Sequence, residues 1–142
     1  NLETLGITLT LQPMSWEAMW ELSKADPANA QDILLLYWWA TYVTPYDYLF
    51  NIFHSEETPN FNLSYYANPA FDKLIDEAAT LSGTDRAKAE DMFKAAQRMM
   101  IEDTPAVFIL DKPNVHILRS DVKGYADNPA YGHVVFVNEL SR

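Results

Sequence analysis

Few side chains in this sequence of 142 residues are of a type and spacing that could do chemistry. Glu56 and Glu57 stand together in a polar, aromatic-rich stretch, with Asp47 upstream. Two carboxyls on opposite sides of a bond, roughly 5–10 Å apart, are what a carbohydrate-active hydrolase needs. Adjacent acids in a polar loop are ordinarily just solvated, so this reading ranks second. The four glycines, Gly6, Gly83, Gly124 and Gly132, are too scattered to build a dinucleotide or phosphate loop. None of His54, His116 and His133 has a histidine or carboxylate at metal-ligand spacing on a helix, so neither a metal nor another cofactor is expected. No serine sits in a G-x-S-x-G elbow. The absence of cysteine excludes disulfides, thiol catalysis and cysteine-zinc sites.

The outstanding feature is aromatic. Tyr37, Trp38, Trp39 and Tyr42 crowd the end of the apolar run Ile33 to Ala40. Rings with flat apolar faces and a polar edge suit sugars, peptides and other ligands of mixed polarity. In open α/β sheets such ligands bind beyond the carboxyl ends of the strands. Successive residues of a strand face opposite ways, so Trp38 and Trp39 cannot both line one pocket by the same face, and at least one belongs to the core.

Composition narrows the partners. Ten basic against 20 acidic side chains give a net charge of −10, which opposes nucleic acid and anionic membrane surfaces. With 49% hydrophobic residues the chain can build a core. The run at 33–40 is far too short for a membrane span, and no signal peptide is evident. An Asn at position 1 in place of Met is expected of an end made by processing or cloning.

The elements that would position these groups follow from periodicity and punctuation. Leu2 to Gly6 reads as a closing helical turn, and Ile7 to Leu11 as a half-buried strand. Ser15 caps a helix carrying Trp16, Met19, Trp20 and Ser23 on one face, stopped by Asp26-Pro27. The run 33–40 reads as a central parallel strand covered on both faces. Thr44-Pro45 and Asn68-Pro69 each pair a cap with a proline at the first helical position. Residues 54–67 form a long loop between those two helices. Phe71, Leu74, Ile75 and Ala78 make one apolar stripe; Ala89, Met92, Phe93, Ala96 and Met100 make another, beyond a cap at Thr84 or Asp85. Ala106 to Leu110 reads as a further buried strand. The tail offers β-like pieces, Val115 to Leu118 and Val134 to Val137, between turns rich in Gly, Pro, Asn and Asp. The expectation is an α/β fold, a mainly parallel sheet with flanking helices, plus a β-rich C-terminal tail.

The order of motifs resembles a known family. The string from Tyr37 to Phe50, YWWATYVTPYDYLF, is similar to the tryptophan-acid-proline segment of extracytoplasmic solute-binding proteins of the dipeptide, oligopeptide and nickel ABC-transporter class, family 5. Phe61-Asn62, Tyr65 to Pro69 and Phe71 to Ala78 resemble its next stretch. Arg86, Gln97, Thr104 to Val107 and Asp121 to Tyr125 follow in the family's order.

This resemblance implies a partial type II periplasmic-binding-protein lobe. Residues 1–110 would be part of the second, C-terminal lobe, and 111–142 a hinge crossover and tail returning to the first lobe. It implies a non-enzymatic bacterial transport protein, outside the cytoplasm in a periplasm or on the cell surface. Its partners would be a small-molecule solute, the membrane permease subunits and the N-terminal lobe of the same protein. The ligand-binding residues would be Trp38, Thr41, Tyr42 and Asn62. Trp38 falls on the family tryptophan. Thr41 replaces the acid that in peptide binders holds the ligand's terminal ammonium, and Thr44 replaces the acid before the proline. A threonine cannot neutralise a charge, so a neutral polyol or oligosaccharide suits the site better than a free-amine peptide.

Overall fold

The structure, a computed structural model, describes residues 2–25, 27–128, 130–131 and 134–142. Its order is set by four helices: α1 (Trp16–Ala25), α2 (Pro45–Phe53), α3 (Pro69–Leu81) and α4 (Arg86–Asp103). Short 3-10 turns lie at Leu2–Leu5 and Val137–Glu139.

The helix starts are written locally. A first turn leaves backbone N–H groups without partners, and a short polar side chain just before it can accept from them. Thr44 Oγ1 accepts from Asp47 N at 3.2 Å, and Pro45 takes the first helical position. Asn68 Oδ1 accepts from Ala70 N and Phe71 N at 3.0 and 3.3 Å ahead of Pro69. Asp85 accepts from Lys88 N at 3.1 Å, and Ser15 Oγ from Ala18 N at 3.3 Å. At the far end of α4, Thr104 turns left-handed (φ 53°) and donates N–H to Met100 O at 2.9 Å before Pro105 ends the run. The expected stop of α1 falls partly on Asp26, outside the described residues; Gly132 and His133 also lie outside them.

Burial follows the stripes. Phe71, Ile75 and Ala78 of α3 meet Ala89, Phe93, Ala96 and Met100 of α4, with Leu49 and Phe53 of α2 laid against both. The four-residue link at 82–85 forces α3 and α4 antiparallel. Their open end is tied by Tyr66 and Asn68, which donate to Asp103 Oδ2 at 2.6 and 2.8 Å. Helix α1 stands apart from this core. It is attached through the 54–67 loop, where the Tyr65 hydroxyl donates to the carbonyl of Ser23.

The expected sheet is not there. Among the described residues no strand forms, and pairing is limited to one antiparallel bridge between Lys123 and Ser141. The segments at 7–11, 33–40 and 106–110 form no ladder, and neither do the tail pieces at 115–118 and 134–137. The mainly parallel sheet and the β-rich tail are therefore both corrected. A helix satisfies its own backbone, whereas a strand needs a neighbour in register. No described segment supplies one. The side-chain pattern of a strand nevertheless survives at 33–40. Leu34, Leu36 and Trp38 are half-buried and Ala40 is buried, while Ile33, Leu35, Tyr37 and Trp39 are 65%, 73%, 58% and 67% exposed. One face is covered where the unbroken apolar run anticipated two. In the tail, Gly124 (φ +81°) is required, because a Cβ there would strike the carbonyl of Glu139.

Candidate functional site

The aromatic segment reaches the helices through the long loop. Trp38 meets Phe61 edge-on at 5.2 Å, Phe61 meets Trp20 edge-on at 5.1 Å, and Trp20 tilts against Trp16 at 5.0 Å. This file of rings joins the 33–40 segment, the loop and α1. The Trp38 Nε1–H is buried and finds no acceptor among the described residues.

Asn62 organises the loop from its centre. It is buried, and its amide donates to the carbonyls of His54 and Tyr66 at 3.0 and 2.7 Å. Its Oδ1 accepts from Tyr66 N at 3.2 Å and from Ser64 Oγ at 3.0 Å. Both ends of the amide are thus committed within the loop. Glu56 adds a second brace, its Oε2 accepting from the N–H groups of Asn60 and Asn62 at 2.6 and 3.2 Å.

Thr41 and Tyr42 lie in the turn that enters α2, and both side chains are exposed. The turn is shaped by Asp47, which is only 1% exposed. Its Oδ2 accepts the Thr41 N–H at 3.1 Å. Behind it, Tyr46 stacks on Phe50 at 4.9 Å, and burial followed by the charge of Asp76 raises its hydroxyl above the usual phenol range.

The structure brings Trp38 and the Asn62 loop together through Phe61, and places Thr41 and Tyr42 beyond the tip of the same segment. Two hollows flank it. A groove of about 480 Å³ runs between α2 and α4, lined by Thr44, Tyr48, Ile52, Gln97, Met100 and Phe108 among others. A smaller one of about 280 Å³ is lined by Trp16, Leu35, Tyr37 and Trp39, on the face of the segment opposite Trp38. The roles of Phe61 and Asp47 escaped the sequence reading. A ring in a loop carries no address, and Asp47 stood in the sequence only as a candidate carboxylate upstream of Glu56 and Glu57.

The hydrolase arrangement finds no support in this geometry. Asp47 and Glu56 each brace backbone, and Glu57 is exposed. Among the described residues no three acids or histidines gather as a metal site. His54 instead lies between Asp72 and Asp76 of α3, its ring nitrogens 3.9 and 3.5 Å from their carboxylates.

Three known proteins are similar to the chain along nearly all of its length. The chain is 28% identical, over its whole length, to a probable D,D-dipeptide-binding periplasmic protein of Escherichia coli. Over 95% of the chain it is 27% identical to a periplasmic murein peptide-binding protein of the same organism. A periplasmic oligopeptide-binding protein of Salmonella typhimurium is 24% identical over 96%.

The chain is similar to periplasmic peptide-binding proteins. The resemblance drawn from YWWATYVTPYDYLF and the motifs after it is borne out, as is the expected extracytoplasmic setting. The chain spans about a quarter of the length of these relatives, 27%, 24% and 24%. All three are binding proteins by name. No family model and no solved structure matches the chain.

Proposed function

We propose that this chain is part of the solute-binding component of an ABC importer, a non-enzyme. It captures a small solute, an oligosaccharide or a peptide, between two lobes and delivers it to a membrane permease. The observation that carries this reading is the match along at least 95% of the chain to three periplasmic peptide-binding proteins. The division at residue 110 into lobe and hinge crossover belongs to the same proposal, with the first lobe supplying the opposite wall.

Within that frame Trp38, Thr41 and Tyr42 contact the solute. Trp38 contributes a half-buried ring, and the other two offer exposed hydroxyl-bearing side chains. Asn62 serves the site from beneath, holding the loop that seats Phe61 against Trp38. Lobe closure would bury the solute between rings and polar anchors.

A thermal-shift screen of solutes on the complete protein tests the reading, because a ligand that binds only the native state raises the midpoint. A cognate solute is expected to raise it, and Trp38→Ala to abolish the rise. Hydrolysis of chromogenic glycosides, with no solute shifting the midpoint, would overturn it in favour of the hydrolase.

A further inference from the structure

We infer that Tyr65 is a positioning residue for Trp38, a strained strut that holds α1 and the root of the 33–40 segment against the 54–67 loop. The inference deepens the solute-binding reading above, since Trp38 is a wall of the site proposed there.

Among the described residues two non-glycine residues stand on left-handed backbone, Thr104 and Tyr65. Thr104 closes α4, where such a turn is ordinary. Tyr65 closes no helix, and at φ 54° a bulky residue is held in a conformation that costs free energy. Strain of this kind persists only where the surroundings over-determine it. Here they do. The Tyr65 N–H donates to Asn62 O at 3.3 Å, and the Asn62 amide grips the N–H and the carbonyl of Tyr66 at 3.2 and 2.7 Å.

What the strained residue reaches is a buried junction. Its hydroxyl donates to the carbonyl of Ser23 in α1, 42 residues away in the chain. Ser23 is 1% exposed. The Ser23 hydroxyl donates to Met19 O at 2.8 Å and accepts from the side-chain amide of Gln31, just ahead of Ile33. One buried serine thus joins the helix, the loop and the root of the segment. The file Trp20–Phe61–Trp38 joins the same three elements through rings. Among the described residues α1 packs on none of α2, α3 and α4. Its place, and through Trp20 and Phe61 that of Trp38, therefore depends on these two junctions.

Fluorine NMR of the complete protein labelled with 5-fluorotryptophan tests this, with the signals of Trp20 and Trp38 assigned by Trp20→Phe and Trp38→Phe. Tyr65→Phe keeps the ring and loses the hydroxyl. It should move both signals toward the solvent-exposed position and speed amide exchange in α1 by about tenfold. Gln31→Ala, which cuts the same junction from the other side, should move them in the same direction. Tyr65→Gly accepts left-handed backbone without strain but removes the strut, and it too should move them. Phe71→Leu, which weakens the core of α2, α3 and α4 instead, should leave both in place. Signals that stay in place in Tyr65→Phe overturn the inference, whatever Tyr65→Gly does. A screen in which no solute raises the midpoint sinks the solute-binding reading alone, because the fluorine spectra decide the strut without a solute.

Discussion

The Tyr66 hydroxyl donates to Asp103 Oδ2 across 2.6 Å and so closes the open end of the α3–α4 hairpin. Asn68 donates to the same oxygen at 2.8 Å. A hairpin joined covalently at one end by residues 82–85 is thus fastened at the other, with 36 residues of chain between Tyr66 and Asp103 enclosed. Tyr66 also packs edge-on against Phe71 and Phe53, at 5.5 and 6.5 Å. The clasp and the core therefore share a residue.

That clasp makes stability depend on alkaline pH. Burial, then the bond to Asp103, pushes the Tyr66 hydroxyl up to about 12 from its ordinary 10.0. A group that holds its proton more tightly when folded stabilises fully below its unfolded value and loses that contribution as pH rises through the folded one. The thermal midpoint, followed by far-ultraviolet circular dichroism, should fall between pH 10 and about pH 12. Tyr66→Phe should start lower at neutral pH and fall less steeply; equal slopes would contradict the assignment. On the acid side the bonds from Tyr66 and Asn68 hold the Asp103 carboxyl below its ordinary value. That contribution is present at neutral pH and is lost as acid protonates Asp103, so Asp103→Asn should blunt the acid response.

Phe71 is fully buried at the centre of the three-helix core. Truncation to alanine removes a large side chain and leaves a cavity, at a cost of about 3–5 kcal/mol. In a core this small, Phe71→Ala should abolish the cooperative urea transition. Phe71→Leu should retain it with a lower midpoint.

Asn62→Ala removes four hydrogen bonds from the 54–67 loop and strands the carbonyls of His54 and Tyr66. Each buried group left unpaired costs about 1–3 kcal/mol. Amide exchange in 54–67 should accelerate by at least about tenfold, while the interior of α4 changes little. Asn62→Asp, which keeps the acceptors and loses the donors, should lie between.

Thr44→Ala deletes the N-cap of α2 and should cost about 1 kcal/mol, with Thr44→Ser close to the parent. The midpoint of chemical unfolding checks this directly. A null effect would mean that Asp47, bonded to the Thr41 N–H, fixes the helix start unaided.

The helices were legible because their signals are local. Thr44, Asn68 and Asp85 cap within three residues of their own position, and the stripes Phe71-Ile75-Ala78 and Ala89-Phe93-Ala96-Met100 are periodic in the sequence itself. Strands were misread because their stability lies in a neighbour. The run at 33–40 has the composition and side-chain alternation of a strand without the partner that would make it one. At the candidate site, the rings of Trp38 and Tyr42 could be picked out by type. Asn62 was picked out too, but its partners are mainly backbone groups, which leave no mark in the sequence. Phe61 was matched to a motif beside Asn62, but its packing became visible only once the loop's path placed it between Trp38 and Trp20.

The half-covered ribbon at 33–40 has a consequence for handling this polypeptide. Eight residues rich in branched and aromatic side chains, uncharged and free of proline, have the makeup that stacks copy upon copy into fibrils. Asp32 at one border and Pro45 beyond the other act as gatekeepers, one by repulsion and one by interrupting a growing zipper. Replacing both with alanine would turn a sticky surface into a seed.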